Sequence, residues 1–200
     1  MGASVTLTAL LVVFGLCSTD AAARIHARTE AAVSSDFIAS SCRATTYRRL
    51  CVESLSPYAS AVRDSPLQLA RAALAVSLSG ARSAAAAVSK LADDGSLPPR
   101  EAAAAAARDC MTTAEDSVEE LQRSLGAMGK GEKDEGGGGV LGLRMDDIQT
   151  WVSAALTDED TCIDGFAGGG AVKVAVKKQI VNVAQLTSNA LALINALNLA

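Results

Sequence analysis

Residues 173–197 read KVAVKKQIVNVAQLTSNALALINAL. Apolar residues and one threonine recur here at steps of four and three, namely Val176, Ile180, Val183, Thr187, Ala190, Ile194 and Leu197. Because an α-helix has 3.6 residues per turn, these positions fall on one face. The stretch therefore predicts a long amphipathic helix that must bury this face against other elements.

The same periodicity predicts two helices before it. Ser65 can cap a helix that opens with Pro66, whose missing N–H is not needed at the first helical position. The apolar face of that helix comprises Leu67, Ala70, Leu74, Leu78, Ala81, Ala85 and Val88. Asp93-Asp94-Gly95 ends this helix, and Pro98-Pro99 opens the next. The second helix presents Cys110, Ala114, Val118, Leu121 and Leu125.

A third helix is predicted to begin near Arg144. It presents Ile148, Trp151, Val152, Ala155 and Leu156 before it reaches Cys162. The preceding stretch contains KGEKDEGGGG and predicts a flexible loop over 129–143. Upstream of the long helices, Tyr47, Leu50, Cys51, Leu55 and Tyr58 at helical spacing predict a short helical hairpin. The whole pattern predicts an all-α fold, an up-and-down four-helix bundle preceded by this N-terminal hairpin. Aromatic residues make up only 3% of the chain, which also favours closely packed helices over β-sheets.

The N-terminus has the pattern of a secretory signal. An uncharged apolar stretch from Val5 to Leu16 leads into Ala21 and Ala23, which supply the small-x-small cleavage pattern. A dozen apolar residues are too few to cross a hydrocarbon core, which needs about 20. We therefore predict a signal peptide over 1–23, a loose tail over 24–34 and one domain over 35–198, secreted and without a membrane anchor after cleavage.

Four cysteines remain after removal of this signal: Cys42, Cys51, Cys110 and Cys162. In an oxidising compartment they can form two disulfides, and three pairings are open. We favour a local Cys42–Cys51 loop and a long Cys110–Cys162 loop, for which chain entropy gives about 2.7 and about 4 kcal/mol. A zinc site is disfavoured because no C-x-x-C pair is present and no histidine lies nearby.

Few residues could carry catalysis or bind a cofactor. The single histidine, His26, lies in the predicted tail, so no imidazole is available for a Ser-His-Asp or Cys-His site. The acids Asp158-Glu159-Asp160 lack calcium-loop spacing and are predicted to form a solvated helix end. A net charge of −4 without a basic block gives no footprint for nucleic acid. The sequence thus predicts a protein that is not an enzyme, needs no metal or cofactor, and acts by presenting a surface.

That surface is predicted on the second long helix. Its outward positions form a mixed, acid-leaning ridge that could bind a protein partner, and they are Arg108, Thr112, Glu115, Asp116, Glu119 and Gln122. Each of them is also an ordinary solvent-facing residue of an amphipathic helix, and most interface contacts carry little energy.

Several motifs together resemble one family of plant proteins. Residues 41–47, SCRATTY, followed by Leu50-Cys51, are similar to the first-cysteine motif of plant invertase and pectin methylesterase inhibitors. Residues 107–110, ARDC, resemble the third-cysteine motif, and 151–166, WVSAALTDEDTCIDGF, resemble the fourth. Residues 186–194, LTSNALALI, are similar to the last helix of the family. The chain departs from the family pattern at Arg48, Thr112 and Ala114, where proline, glutamate and tyrosine are common.

The resemblance implies the same cysteine pairing, Cys42 with Cys51 and Cys110 with Cys162. It also implies an extracellular monomer of the apoplast and cell wall that docks over the substrate cleft of pectin methylesterase in a 1:1 complex. The fourth-cysteine segment is more similar to the pectin methylesterase branch than to the invertase inhibitors, and no Pro-Lys-Phe motif is present. Acid invertase is the alternative target, and a helical extracellular carrier of a small apolar ligand is a third hypothesis, which an empty apolar cavity would favour.

Overall fold

The structure, a computed structural model, describes residues 32–93, 102–131, 138–165 and 171–197. Within these ranges the chain is helical apart from short turns and contains no strand. The predicted signal peptide, tail residues 24–31 and the segments 94–101 and 166–170 lie outside the described residues. The predicted all-α class is confirmed.

The N-terminal hairpin begins with helix α1 over 32–41. A 3₁₀ turn at Cys42–Ala44 leads to α2 (Arg48–Leu55), and a second 3₁₀ turn at Ser56–Tyr58 leads to the short α3 (Ala59–Val62). The tail predicted up to residue 34 is wrong at its end, because 32–34 are helical and Ser34 is only 4% exposed.

The first long helix, α4, spans Pro66–Asp93. The backbone N–H of Gln68 donates to Ser65 Oγ at 3.3 Å, which is the hydrogen bond of an N-cap to the third helical residue. The predicted start of this helix is therefore confirmed, and the predicted end at Asp94-Gly95 lies outside the described residues. Arg63, just before it, has φ 53° and ψ −114°, a conformation that non-glycine residues rarely adopt.

Three further long helices follow: α5 (Ala102–Gly131), α6 (Gly138–Gly165) and α7 (Ala171–Leu197). The loop predicted over 129–143 is wrong in its bounds, since 129–131 and 138–143 are helical and only 132–137 lie outside the described residues. Glycine costs about 1 kcal/mol relative to alanine in a helix, and a helix already stabilised by packing tolerates that at its ends. The third long helix accordingly begins at Gly138, not near Arg144.

Neighbouring helices run antiparallel. Cys110, near the start of α5, is bonded to Cys162, near the end of α6. Similarly, the position of a Cβ on Gly129, at the end of α5, lies 3.4 Å from the guanidinium of Arg71, near the start of α4. The pairs α4–α5, α5–α6, α6–α7 and α4–α7 make the main helix–helix contacts. This closed ring confirms the up-and-down four-helix bundle.

The core is built from aliphatic residues and alanines of all four long helices. Gly80 on α4 permits a close approach to α7, because a Cβ there would lie 3.3 Å from Val183 Cγ2 and 3.5 Å from Leu186 Cδ1. The segments Pro66–Lys90 and Val174–Leu197 are long and apolar enough for membrane spans, with hydropathies of 1.2 and 1.4. Both contribute their buried residues to the bundle core, which accounts for that composition.

One side chain of α7 fixes the hairpin against the bundle. Asn189 Oδ1 accepts from the backbone N–H of Tyr47 at 3.0 Å, and Asn189 Nδ2 donates to the backbone carbonyl of Tyr47 at 3.0 Å. Asn189 is 2% exposed. The amide therefore satisfies both backbone groups of a turn residue, and α1 and α2 dock in a defined orientation.

Candidate protein-binding surface

Two disulfides frame the structure, Cys42–Cys51 within the hairpin and Cys110–Cys162 between α5 and α6. This is the local-plus-long pairing that the loop lengths favour. The second disulfide fixes the axial register of α5 relative to α6. It therefore also sets which residues face each other along the seam between these helices.

The structure places the predicted ridge on the outer face of α5. All six residues are exposed: Arg108, Thr112, Glu115, Asp116, Glu119 and Gln122. Their spacing follows the helix surface opposite the buried positions of the same helix, Ala107, Cys110, Ala114, Ser117, Leu121, Ser124 and Met128. The structure thus brings the six together on one face, while their role in binding stays a prediction.

Grooves flank the C-terminal half of this ridge. The α4/α5 groove, about 330 Å³, is lined by Arg82, Val118 and Gln122 among others, and Arg82 donates to Gln122 Oε1 at 2.8 Å. The α5/α6 groove, about 570 Å³, contains Trp151 and Gly126. The ridge therefore lies between two grooves, and a partner surface can fit over the ridge and into these grooves.

Trp151 is the single tryptophan of the chain, and the sequence placed it on the apolar face of the third long helix. In the structure it is half-buried, packed on the core on one side and lining the α5/α6 groove on the other. The guanidinium of Arg123 lies 5.4 Å from the centre of its ring. Arg123 Nη2 also donates to Glu119 Oε1 at 2.7 Å, so the cation is held by both a ring and a carboxylate.

Two carboxyl groups meet across the α5/α6 seam beside the ridge. Burial, followed by the charge of Asp158 and a hydrogen bond with it, raises the pKa of Glu120 to about 7. Burial also raises the pKa of Asp158, although the hydrogen bond with Glu120 opposes that shift. The pair therefore holds a shared proton in mild acid and releases it near neutrality. The charge of this face changes between these conditions.

Among the described residues, Glu159 is the only charged residue that is buried in the core. It is 3% exposed, and its Oε1 accepts from Ser117 Oγ at 2.8 Å and from Thr187 Oγ1 at 3.0 Å. Its Oε2 has no hydrogen-bond partner among the described residues. Burial raises the pKa of Glu159 to about 8, against the smaller lowering effect of the Ser117 and Thr187 hydrogen bonds. The carboxyl is therefore neutral in mild acid.

The prediction that residues 158–160 form a solvated helix end is wrong for Glu159. Helix α6 continues to Gly165, so Glu159 occupies an interior position of the helix. It extends the buried series of Ile148, Val152 and Ala155 by one more step of four. That step was visible in the sequence, but a charged residue is almost never fully buried unless paired, which favoured solvent.

A small cavity lies beside Glu159 where all four long helices meet. It is lined by Ala81, Ala84, Ala114, Ser117, Cys162, Ile180, Val183 and Glu159 itself, and its volume is about 10 Å³. That volume corresponds to one water molecule. It cannot take an apolar ligand of the size that a carrier would hold, so the carrier hypothesis has no support at this position.

Comparison with known proteins gives the family of the chain. The model of the plant invertase/pectin methylesterase inhibitor family matches residues 36–193. The chain belongs to this family. A relative named Pectinesterase inhibitor 3, from Arabidopsis thaliana, is 38% identical to this family member over 195 residues, which cover 96% of the chain and 93% of the relative.

Other relatives agree with this assignment. The 21 kDa protein of Daucus carota is 42% identical to this inhibitor-family chain over 174 residues, which cover 86% of the chain and 88% of that protein. Pectinesterase inhibitor 10 of Arabidopsis thaliana is 46% identical over 80% of the chain, although the match spans only 50% of that relative.

The fold is similar to that of a solved structure. The crystal structure of mutant form A of a pectin methylesterase inhibitor from Arabidopsis superposes with a TM-score of 0.57 at 21% identity, covering 77% of this chain and 92% of that one. The family is described as one of inhibitors, and Pectinesterase inhibitor 3 and Pectinesterase inhibitor 10 are named as such, which confirms the class predicted from the sequence.

Proposed function

We propose that this protein is an extracellular inhibitor of pectin methylesterase that covers the substrate cleft of the enzyme in a 1:1 complex. The alignment with Pectinesterase inhibitor 3 along nearly the whole of both chains carries this proposal. Blocking the cleft keeps pectin from the esterase, so methyl esters remain on the wall polysaccharide. The apolar N-terminal stretch with its small-x-small site supports export to the apoplast.

The architecture supports a mechanism by obstruction. The cavity between the four long helices is only about 10 Å³, the volume of one water molecule, and a disulfide links α5 to α6. Both features make the bundle rigid. A preorganised surface loses little conformational entropy when it binds. The exposed α5 ridge carries mixed charge and has a groove on each side, so it offers a partner both relief and charge. We propose that this ridge enters or caps the cleft.

The test is inhibition of two enzyme classes by one preparation. Mature protein is titrated into a plant pectin methylesterase while methanol release is measured, and into an acid invertase while glucose release is measured. We expect loss of esterase activity near one molar equivalent, with invertase unaffected. Full esterase activity at a large excess of inhibitor, together with block of the invertase, would establish the alternative target, which the family description also includes.

The ridge is tested by charge reversal at exposed positions. Glu115→Lys and Glu119→Lys change the face without entering the core, because both residues are exposed. We expect weaker esterase inhibition from both variants, since charge repulsion disfavours a complementary surface. Glu53→Lys on α2, also exposed and on the hairpin, is the matched control and should inhibit like the wild type.

A further inference from the structure

We propose that the α5/α6 groove beside the Arg123–Trp151 stack is the pocket in which this inhibitor captures a cationic side chain, lysine or arginine, of its target pectinesterase. The inference rests on the proposed function and deepens it, because it names the anchor point within the surface and the chemistry of the partner group. Most of the residues that line this groove lie outside the ridge, and membership of the family does not by itself identify the groove.

The floor of the groove contains the Trp151 ring and is open at Gly126. Trp151 contributes a large ring that is packed on the core from below, so the ring presents a rigid surface. Above the backbone of Gly126, the position of a Cβ has no atom within 4 Å. A partner side chain can therefore lie against the helix backbone at Gly126 without displacing any atom there. Partly buried tryptophans of this kind are frequent centres of binding energy.

The rim of the groove is acidic. Glu119 and Asp147 line it from α5 and α6. Arg123 already neutralises Glu119 through the 2.7 Å hydrogen bond. Asp147 is exposed and has no hydrogen-bond or ion-pair partner among the residues that the structure describes. The groove therefore retains one uncompensated negative charge next to an aromatic surface.

This combination matches a lysine or arginine better than any other side chain. The methylene stem of either residue can lie along the helix backbone at Gly126 while its charged head reaches the carboxylate of Asp147. Arg123 already occupies the Trp151 ring and is neutralised by Glu119, so Asp147 is the group left to pair with a second cation. An acidic partner side chain would meet the carboxylates of the rim, and an uncharged one would leave Asp147 without a partner at the interface.

The pocket adjoins the ridge described above. Glu119 and Gln122 belong to the ridge and also line the groove. A partner surface that contacts the ridge therefore passes directly over the opening. A side chain anchored in the groove would fix the rotation of the partner about the α5 axis, which a single convex ridge cannot do.

The first experiment changes the charge of the rim. Inhibition constants against pectin methylesterase are measured for Asp147→Asn and Asp147→Lys, with Asp146→Asn and Asp146→Lys as matched controls. Asp146 is the adjacent exposed carboxylate on α6 and does not line the groove. We expect Asp147→Lys to weaken inhibition by about tenfold or more and Asp147→Asn by severalfold, and the Asp146 variants by less than about twofold.

The second experiment fills the groove without changing its charge. Gly126→Leu places a side chain into open space, and leucine is a better helix former than glycine, so the fold is retained. We expect inhibition to weaken by about tenfold or more. The inhibition constant of the wild type should also rise more steeply than that of Asp147→Asn between about 50 and about 300 mM salt, because exposed charge pairs are screened.

The outcomes separate the pocket from the function. Asp147→Lys and Gly126→Leu that inhibit within about twofold of the wild type would overturn the pocket while leaving pectinesterase inhibition in place. A wild-type protein that inhibits no pectin methylesterase overturns the proposed function itself, and the pocket proposal with it. Equal losses in the Asp146 and Asp147 variants contradict the pocket, because they would indicate only a diffuse effect of negative charge.

Discussion

Replacement of the buried carboxyl group of Glu159 by an amide should remove a large part of the pH dependence of folding. Burial raises the pKa of Glu159 from 4.5 to about 8 in the native state. Between these values the native protein keeps a proton that the unfolded chain releases. The stabilising effect is therefore complete below pH 4.5 and is lost as the pH rises to about 8.

The magnitude follows from the pKa difference and the burial of the side chain. One pH unit of differential protonation corresponds to about 1.4 kcal/mol. Applied from 4.5 to about 8, it amounts to about 5 kcal/mol of unfolding free energy. Solvent screening does not reduce this value much, because Glu159 is 3% exposed. A domain of this size is stable by roughly 5 to 15 kcal/mol, so the effect is a major part of the total.

The measurement compares the wild type with Glu159→Gln in guanidinium chloride unfolding, followed by far-UV circular dichroism with the disulfides intact. The glutamine carbonyl can still accept the hydroxyl hydrogen bonds of Ser117 and Thr187, and it cannot ionise. We expect the wild type to lose about 5 kcal/mol relative to Glu159→Gln between pH 4 and pH 9. Asp164→Asn, at an exposed position of the same helix whose charge is not among the causes of the Glu159 shift, is the control and should follow the wild type.

Parallel loss of stability in the wild type and in Glu159→Gln over this pH range would refute the reasoning. It would mean that Glu159 is ionised in the folded protein, with its charge hydrated or paired. Carboxyl groups such as Glu120, whose charge is not among the causes of the Glu159 shift, titrate in both proteins alike, so they cancel in the comparison.

Three further predictions concern how the elements are held together. Asn189→Ala removes both hydrogen bonds to the backbone of Tyr47 and should lower the unfolding free energy by about 1 to 3 kcal/mol in the same assay, with faster amide exchange in the hairpin. Replacing Cys110 and Cys162 together by alanine opens a loop with a sequence separation of 52 and should cost about 4 kcal/mol; an unchanged midpoint would contradict this. Arg63→Gly relieves a backbone with φ 53° and should raise the thermal midpoint of unfolding. The expected gain in unfolding free energy is about 1 kcal/mol, after the entropy cost of glycine is subtracted. A lower midpoint would show that the arginine side chain contributes more stability than the strain costs.

The long helices could be predicted from the sequence because their signal is local. Steps of three and four along α4 and α7, and the Ser65-Pro66 start, report directly on which face is buried. The exposure of the ridge follows from the same periodicity, since residues opposite a buried series must face solvent. The loop bounds were less accurate because composition identifies a glycine-rich segment but does not show how far flanking helices extend into it.

The parts that could not be predicted depend on contacts between distant segments. The position of Asn189 in the last helix does not reveal that its amide holds a turn 142 residues earlier. The buried carboxyl group of Glu159 accepts hydrogen bonds from Ser117 on α5 and Thr187 on α7, and the sequence does not show that these three residues lie at the same level of the bundle. The groove beside Trp151 arises from a glycine on α5 facing a ring on α6, and its shape is a property of the assembled bundle alone.

The two disulfides lie in series along the chain. The loop from Cys42 to Cys51 closes before Cys110 is reached, so neither loop encloses a cysteine of the other. During synthesis the first bond can therefore form while the rest of the polypeptide is still emerging, and the second can form later without the first being opened. A chain with this arrangement can complete its oxidation in the order of its sequence, without disulfide isomerisation.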